Sequence, residues 1–250
     1  MSNEHGSWIM KGLGWYDPYR IRSWQELVNW INEVGFLPLF ANDIPGFSAE
    51  EHVSPDFWWT GDRDQDPWGW REIIAESGQV AYGKFFDGKA GFISLDWLPV
   101  FANYRRDGYD FDAAYEDGLV QRRMKKLMDC FFDEDNEETE TSEARIFPGF
   151  QLKPMAGFSK TGFKNFAGCM TELQMQTYLV VVDFHRRRNK RGEEYGMPVC
   201  YYERPEDKWG YDLVTSAYSE APKESFARIM QRAGECFPGG DKAALKKLLK

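Results

Sequence analysis

Residues 163–202 read FKNFAGCMTELQMQTYLVVVDFHRRRNKRGEEYGMPVCYY, a helix pattern followed by two strand patterns. Apolar or small side chains recur at helical spacing along one stripe of the first part, at Phe163, Phe166, Ala167, Met170, Leu173 and Thr177. Polar side chains, among them Lys164, Asn165 and Gln176, lie off that stripe. The pattern predicts a helix over 163–177 with one face packed and the other open to a DNA groove.

Two strand-forming runs follow this helix. Residues 178–184 and 195–202 are rich in β-branched and aromatic side chains, and Pro198 marks the second run as an edge strand or a bulge. Asn189 and Gly192 predict a turn between them. Five basic residues surround that turn: Arg186, Arg187, Arg188, Lys190 and Arg191. A basic hairpin tip is suited to a phosphate backbone or a minor groove, and the alternative is a solvated turn without a ligand.

Two shorter helical patterns precede the predicted helix. The capping residues 141–143 predict a short helix through Phe147, which the Pro-Gly pair at 148–149 interrupts. A second helical turn covers 152–156. Helix, turn, helix and hairpin together predict a winged-helix domain over 143–204, with Lys164, Asn165 and the five basic residues of the hairpin as candidate nucleic-acid ligands.

The charge of the chain supports this prediction locally but not globally. Residues 143–204 contain ten Lys or Arg and six Asp or Glu, so this segment is near +4, whereas the whole chain has a net charge of −9 and a pI near 5.0. An acidic chain is not a general binder of nucleic acid. The asymmetry between the segment and the remainder is therefore the more informative feature.

Composition places the chain among folded proteins with reduced cysteines. Its 250 residues are 42% hydrophobic and 16% aromatic, which is enough for a substantial core. The N-terminal sequence MSNEHGSW has no signal-peptide pattern, and no apolar run reaches the length of a membrane span, so we expect a cytoplasmic protein. The four cysteines are far apart, and there is no nucleotide loop, serine nucleophile motif or metal-ligand spacing. We therefore expect no metal and no cofactor.

The first half of the chain predicts helices around one β-hairpin. Helical patterns cover 23–35, 67–78, 95–108 and 110–132, and strand patterns cover 79–86 and 89–94. The dipeptide Asp87-Gly88 between the two strands is a strong hairpin signal. We therefore expect an α+β protein that is mostly helical, with a small β-hairpin in an N-terminal domain and a separate winged-helix domain.

A long loop over 42–67 and the helix after it are rich in tryptophan. Trp58, Trp59, Trp68 and Trp70 form a candidate ligand pocket, in which the rings would stack on a ligand or a base. The alternative is a loop that its tryptophans pin to the core. The tryptophans alone do not separate these two readings.

The acidic segment DEDNEETET, which lacks aliphatic and aromatic residues, predicts a linker. The predicted organisation is an N-terminal α+β domain over 1–132, a linker over 133–142, the winged-helix domain over 143–204, and a helical tail over 205–250.

Three segments of the chain resemble the AlkZ-related proteins. These are GFLPLF at 35–40, YGKFFDGKAGFISLDWLPVFANYRRDG at 82–108 and TELQMQTYLVVVDF at 171–184. The AlkZ-related proteins are bacterial winged-helix proteins, named after a DNA glycosylase family that acts on bulky and crosslinked adducts. The resemblance covers roughly residues 8–218, and it implies a winged-helix fold and an association with DNA repair.

The same resemblance suggests two catalytic candidates. Gln174-Met175-Gln176 matches the glutamine–apolar–glutamine motif that the glycosylases use near the damaged nucleotide. In those longer proteins the motif lies near the N-terminus, whereas here it lies at the end of the predicted recognition helix. The match therefore leaves open whether Gln174 and Gln176 are catalytic or serve only the packing and the end of the helix.

Two functions follow from these patterns. The first is a protein that binds double-stranded DNA in repair or regulation; if it is an enzyme, it is a DNA glycosylase-like hydrolase. The second is a non-enzymatic module for a protein partner or a small ligand, which kept the fold without DNA binding. The acidic balance favours the second function, and the basic hairpin favours the first.

Overall fold

The computed structural model describes residues 9–132 and 145–250. Helices and antiparallel strand pairs are combined within these residues, so the chain is an α+β protein as predicted. Backbone packing divides the chain into two units: the described residues up to Trp97 together with Ala227–Lys250 form unit 1, and Leu98–Phe226 form unit 2. These boundaries differ from the predicted domains, because the last helices pack with the N-terminal part. The predicted linker 133–142 lies outside the described residues.

The elements are numbered along the chain. The helices are α1 (Trp24–Val34), α2 (Pro67–Ser77), α3 (Leu98–Arg106), α4 (Phe111–Glu116), α5 (Arg122–Met128), α6 (Gly149–Met155), α7 (Phe166–Met175), α8 (Pro205–Trp209), α9 (Tyr211–Val214), α10 (Pro222–Cys236) and α11 (Lys242–Leu249). The strands are β1 (Phe36–Pro38), β2 (Val80–Phe86), β3 (Lys89–Ser94), β4 (Phe147–Pro148), β5 (Val180–Arg188) and β6 (Glu194–Glu203). No helix in the described ranges is both long and apolar enough to cross a membrane.

Unit 1 is built on three antiparallel strands in the order β1–β3–β2. The Asp87-Gly88 turn joins β2 to β3 with φ angles of 51° and 70°, the left-handed conformation that tight hairpins require. Helix α1 begins at Ser23, whose hydroxyl accepts a hydrogen bond from the Glu26 backbone N–H. The strands bury large aromatic side chains, among them Phe36 and Phe92. The predicted hairpin over 79–94 is therefore present.

Unit 2 contains the segment from which the sequence predicts a winged helix. Strands β5 and β6 form an antiparallel hairpin, and β4 pairs with the other edge of β6 through Phe147 opposite Tyr202. Helices α5, α6 and α7 contribute Leu127, Leu152 and Leu173 to one buried core. The prediction of a helix through Phe147 was wrong for its described part. Phe147–Pro148 is a strand because it completes the edge of β6, and the helix begins only at Gly149.

The predicted helix over 110–132 is also interrupted. Helix α4 ends at Glu116, and α5 begins at Arg122. Gly118 lies between them with φ 74°, a left-handed conformation that ends a helix and that glycine adopts without strain. The sequence pattern did not reveal this break, because apolar side chains at helical spacing face the core both before and after it.

Helix α7 is shorter than the predicted helix over 163–177, and its buried face is rotated relative to the predicted apolar stripe. Asn165 is its N-cap, and Thr177, with φ 61°, follows its last turn. Ala167 is exposed although the pattern placed it on the packed face, whereas Gln174 is buried. The packed face of α7 therefore consists of Cys169, Met170, Leu173 and Gln174.

Candidate nucleic-acid interface

The β5–β6 hairpin leaves the core about half-way along its length. Val180–Val182 at the base of β5 are buried, whereas every residue from His185 to Met197 is exposed. The register pairs Val180 with Glu203 at the base and Arg188 with Glu194 near the tip. The outer half is therefore held by the ladder and the turn rather than by core packing, and its side chains face solvent.

Asn189 fixes the turn at the tip. Its Oδ1 accepts hydrogen bonds from the backbone N–H groups of Arg191 (2.8 Å) and Glu193 (3.1 Å), and its Nδ2 donates to the Glu193 carboxylate at 2.8 Å. Gly192 adopts φ 81° in the same turn. This local network is the reason that an asparagine and a glycine are needed here, and it holds the flanking basic residues in a defined arrangement.

Four of the five basic side chains form no ion pair among the described residues, and one of these four, Arg187, lies over an aromatic ring. In the described part of the chain, Arg186, Lys190 and Arg191 form no ion pair, and Arg188 lies 3.4 Å from Glu194. The side chains of that pair are 70% and 52% exposed, so their attraction is weak in water. The tip therefore presents a cluster of positive charge that the protein itself leaves largely uncompensated.

A groove of about 540 Å³ lies along the hairpin beside α6. Arg187 places its guanidinium carbon 4.7 Å from the ring centroid of Phe150, a cation–π contact that joins the hairpin to the start of α6. Nε2 of His185 lies 2.7 Å from Oδ2 of Asp183, and the imidazole meets the Tyr201 ring edge-on at 5.0 Å. The groove thus combines cationic, aromatic and hydrogen-bonding groups, which is the mixture that nucleic-acid surfaces use.

The N-terminal end of α7 carries the other two predicted nucleic-acid ligands. Asn165 adopts φ 63° and accepts a hydrogen bond from the Gly168 N–H at 3.3 Å, so it serves as the helix cap. The Lys164 ammonium donates to the backbone oxygens of Ser159 and Lys160, the first at 3.0 Å. Both side chains are exposed, but each already holds the turn before the helix in place.

The two candidate catalytic glutamines lie at the other end of α7. Gln174 is 1% exposed, and its Nε2 donates to the Met170 carbonyl at 2.8 Å. Gln176 is the C-cap residue, and its Oε1 is buried without a hydrogen-bond partner among the described residues. In this arrangement Gln174 belongs to the packed face of the helix, and Gln176 belongs to its end.

The base of the hairpin is anchored by a buried arginine. Arg106 donates to the Glu206 carboxylate at 2.5 Å, to the Tyr218 hydroxyl at 3.1 Å and to the Thr177 carbonyl at 2.6 Å. Its guanidinium also lies 4.4 Å from the ring centroid of Tyr178, just before β5. Burial alone would lower the pKa of Arg106, but the attraction of Glu206 and Tyr218 outweighs it and raises the pKa. Arg106 is therefore a charged structural anchor.

Glu203, the last residue of β6, is a buried acidic residue three positions before Glu206 in the sequence. It is 2% exposed, and its Oε2 has no hydrogen-bond partner in the described part of the chain. Burial raises the pKa of the Glu203 carboxyl, and the attraction of Lys208 only partly offsets that effect. The base of the hairpin thus contains one paired charge and one unpaired acidic group.

The four tryptophans of the candidate ligand pocket lie in unit 1 and differ in exposure. Trp70 is 1% exposed and donates from Nε1 to the Asp64 carbonyl at 3.1 Å, and Trp58 is also buried. Trp59 is 48% exposed, and Trp68 lies under the guanidinium of Arg71 at 3.8 Å. Two of these rings therefore pin the loop to the core, and Trp59 is the ring that is open to a ligand.

Comparison with known proteins identifies the family to which this chain belongs. The model of the AlkZ related family matches residues 21–250, which is most of the chain. The chain belongs to the AlkZ-related family. No curated protein and no solved structure matches it. The family suggests a role related to DNA repair.

The sequence pattern of this AlkZ-related chain did not reveal several residues near the candidate interface. Phe150 was not predicted, because its contact with Arg187 depends on how α6 packs beside the hairpin. Tyr195 and Met197 are 50% and 70% exposed on β6, although the sequence pattern assigned them only to a strand. Within residues 9–132 and 145–250, no group of three or more His, Cys, Asp or Glu side chains could hold a metal ion.

Proposed function

We propose that this AlkZ-related chain binds double-stranded DNA through unit 2, in a role related to DNA repair. The observation that carries the proposal is the uncompensated charge of Arg186, Lys190 and Arg191 at the hairpin tip of a chain whose net charge is −9. An acidic protein that keeps such a cluster free of acidic partners has a site for an external anion, and a phosphate backbone supplies several anions in a row.

The element order supports a winged helix as the scaffold of this site. The chain order in this segment is β4, α6, α7 and then the β5–β6 hairpin. Because β4 pairs with β6, the three strands form one antiparallel sheet in the order β5–β6–β4. In such a scaffold α7 is the recognition helix and the hairpin is the wing. We propose that the N-terminal end of α7, with Lys164 and Asn165, faces the bases and that the hairpin tip contacts phosphates.

The first experiment measures duplex binding by fluorescence anisotropy over a salt series. We expect the wild-type protein to bind a 20-base-pair duplex at low salt, and we expect the Arg186→Ala/Arg187→Ala/Arg188→Ala variant to bind about 30-fold or more weakly. Because each lost phosphate contact removes about 0.9 from the slope of log K against log salt, that slope should fall by about 2 to 3.

The matched control removes three exposed lysines of the C-terminal segment, Lys242, Lys246 and Lys250, by substitution with alanine. This variant has the same net charge as the arginine variant. If this lysine variant binds the duplex about as tightly as the wild-type protein, the position of the arginines rather than the total charge determines binding. Equal weakening in the two variants, or no wild-type binding at low salt, would contradict the proposal.

Base release is a separate question, for which the geometry of α7 gives a specific expectation. Gln174 is occupied by the Met170 carbonyl in the packed face, so contact with a nucleotide would require the helix end to open. We infer that Gln174 maintains the helix. A glycosylase assay on duplexes with a bulky adduct tests this: base release that is lost in Gln174→Glu, with unchanged unfolding, would make Gln174 catalytic.

A second function, a protein-interaction module without DNA binding, is favoured by one observation. The exposed face of α7 presents Ala167 and Glu172 in place of base-reading amides or arginines, and a carboxylate is repelled by a DNA groove. Glu172→Gln separates the two functions. Tighter duplex binding in this variant places α7 against DNA, whereas unchanged duplex binding leaves that face for another partner.

A further inference from the structure

Arg20 in unit 1 is a buried cation that forms no ion pair among the described residues. The residue is 6% exposed, and its guanidinium carbon lies 4.3 Å from the ring centroid of Trp15. Its Nε is buried without a hydrogen-bond partner, and no carboxylate in the described part of the chain forms an ion pair with it. A buried charge without an ion-pair partner costs free energy, and an anionic ligand would reduce that cost.

The Arg20 side chain lines a groove of about 680 Å³. Trp15, Tyr16 and Trp24 provide aromatic walls, and Tyr16 is 91% exposed, so one ring has a face open to a planar ligand. The groove has the volume of a small-molecule site, and its mixture of flat rings and guanidinium groups is typical of nucleotide contacts.

Two further sources of positive potential converge on this groove. Trp24 and Gln25, which also line it, are the first residues of α1, whose N-terminal N–H groups carry the positive end of the helix dipole. Arg22 lines the groove as well, and its Nη1 donates to the Arg20 carbonyl at 2.9 Å. Burial and the nearby charge of Arg22 lower the pKa of Arg20, and the attraction of the Glu26 carboxylate offsets this only in part.

Two acidic groups limit what the groove accepts. Glu26 accepts a hydrogen bond from the Arg22 backbone N–H at 2.7 Å, so this carboxylate is already bound. Asp64 also lines the groove and has no ion-pair partner among the described residues. A single phosphate can meet Arg20 and the start of α1 in this setting, whereas a second phosphate near Asp64 would be repelled.

We propose that this groove binds one nucleotide, with its phosphate on Arg20 and the N-terminal end of α1 and its base stacked on Tyr16. The nucleotide is a free nucleoside monophosphate or one residue of a single strand, since the two share this chemistry. The site lies in unit 1, and it does not depend on duplex binding by the hairpin.

The test is isothermal titration with thymidine monophosphate, thymidine and inorganic phosphate as separate probes. We expect the monophosphate to bind about tenfold more tightly than either fragment, because stacking and the phosphate–guanidinium contact act together. Arg20→Gln should weaken the monophosphate about tenfold and leave thymidine unchanged. Tyr16→Ala should weaken the monophosphate and thymidine about fivefold each, and Tyr19→Ala, another exposed tyrosine, should change neither.

Two outcomes would overturn the proposal. One is equal affinity of wild type and Arg20→Gln for the monophosphate; the other is an affinity of inorganic phosphate as high as that of the monophosphate. If Arg20→Gln does not fold, the Asp64→Asn variant tests the same site. Removal of this exposed acid should tighten monophosphate binding about threefold, and unchanged or weaker binding would refute the site.

An octathymidylate distinguishes the two sources of the nucleotide. If the natural ligand is a single strand, the oligonucleotide should still bind to the hairpin variant Arg186→Ala/Arg187→Ala/Arg188→Ala. Adding the Arg20→Gln substitution to that variant should then abolish the binding. Binding of the monophosphate alone assigns a free nucleotide. The hairpin variant lacks the proposed duplex contacts. Oligonucleotide binding by this variant therefore tests the nucleotide groove independently of duplex binding by the hairpin.

Discussion

The base and the tip of the β5–β6 hairpin use charged residues in opposite ways. At the base, Arg106 is buried, donates to Glu206, Tyr218 and Thr177, and lies over the ring of Tyr178. At the tip, Arg186 is exposed and has no acidic partner in the described part of the chain. The same side-chain type therefore stabilises the fold at one end and is available to a ligand at the other.

This difference follows from where the hairpin leaves the core. A buried guanidinium must find its hydrogen-bond partners inside the protein, because no water replaces them. An exposed guanidinium is already hydrated, so leaving it unpaired costs the fold little. Substitutions at the base should therefore change stability, and substitutions at the tip should change binding.

The largest effect is expected at Arg106. Arg106→Met leaves the Glu206 carboxylate without its partner, and the free energy of unfolding should fall by about 3 to 5 kcal/mol. Urea unfolding at pH 7 measures this change. Arg186→Met, the matched variant at the tip, should alter the free energy of unfolding by less than about 0.5 kcal/mol. Similar losses in the two variants would remove the distinction between base and tip.

Glu203 gives a pH-dependent test of the base. Because burial raises its pKa in the folded state, the folded protein holds this proton more tightly than the unfolded chain. Its effect on stability is thus most favourable below the unfolded pKa and is lost as pH rises through the folded pKa. Glu203→Gln removes this dependence and should raise the free energy of unfolding at pH 8 by about 1 to 2 kcal/mol. Equal pH profiles of the two proteins would contradict the prediction.

A third comparison lies within the tip itself. Arg186 has no acidic partner, whereas Arg188 is beside Glu194 at 3.4 Å, so its charge is already partly compensated. Arg186→Ala should weaken duplex binding about fivefold, and Arg188→Ala should weaken it only about twofold. Anisotropy titrations at one fixed salt concentration compare the two variants. A larger loss at Arg188 would show that the ion pair opens on binding.

The smallest effect is expected at Glu194. Glu194→Gln frees Arg188 from its acidic partner, and duplex affinity should rise about twofold without a measurable change in the free energy of unfolding. The gain should disappear in the Glu194→Gln/Arg188→Ala double variant, because the effect acts through that arginine. A gain that persists would mean that Glu194 repels the DNA directly.

The sequence alone determined the elements that local chemistry specifies. The Asp87-Gly88 turn and the Asn189 turn appear where predicted, and α1 begins after Ser23, where the helical pattern begins, because a few neighbouring atoms decide these features. The α+β class and the family also followed from local patterns and from quoted segments. The basic residues of the hairpin were visible for the same reason, since five cations around one turn have no apolar face to pack.

Tertiary structure decided which polar side chains are available to a ligand. The sequence left open whether Gln174 is catalytic or serves packing, and only the structure shows that it is buried on the face of α7 that meets the unit 2 core. The sequence assigned Arg106 only to the helical pattern over 95–108, but its partners are up to 112 positions away. Arg20 showed no pattern at all in the sequence. Pairing, burial and missing counter-ions depend on distant parts of the chain, so only the folded structure assigns them.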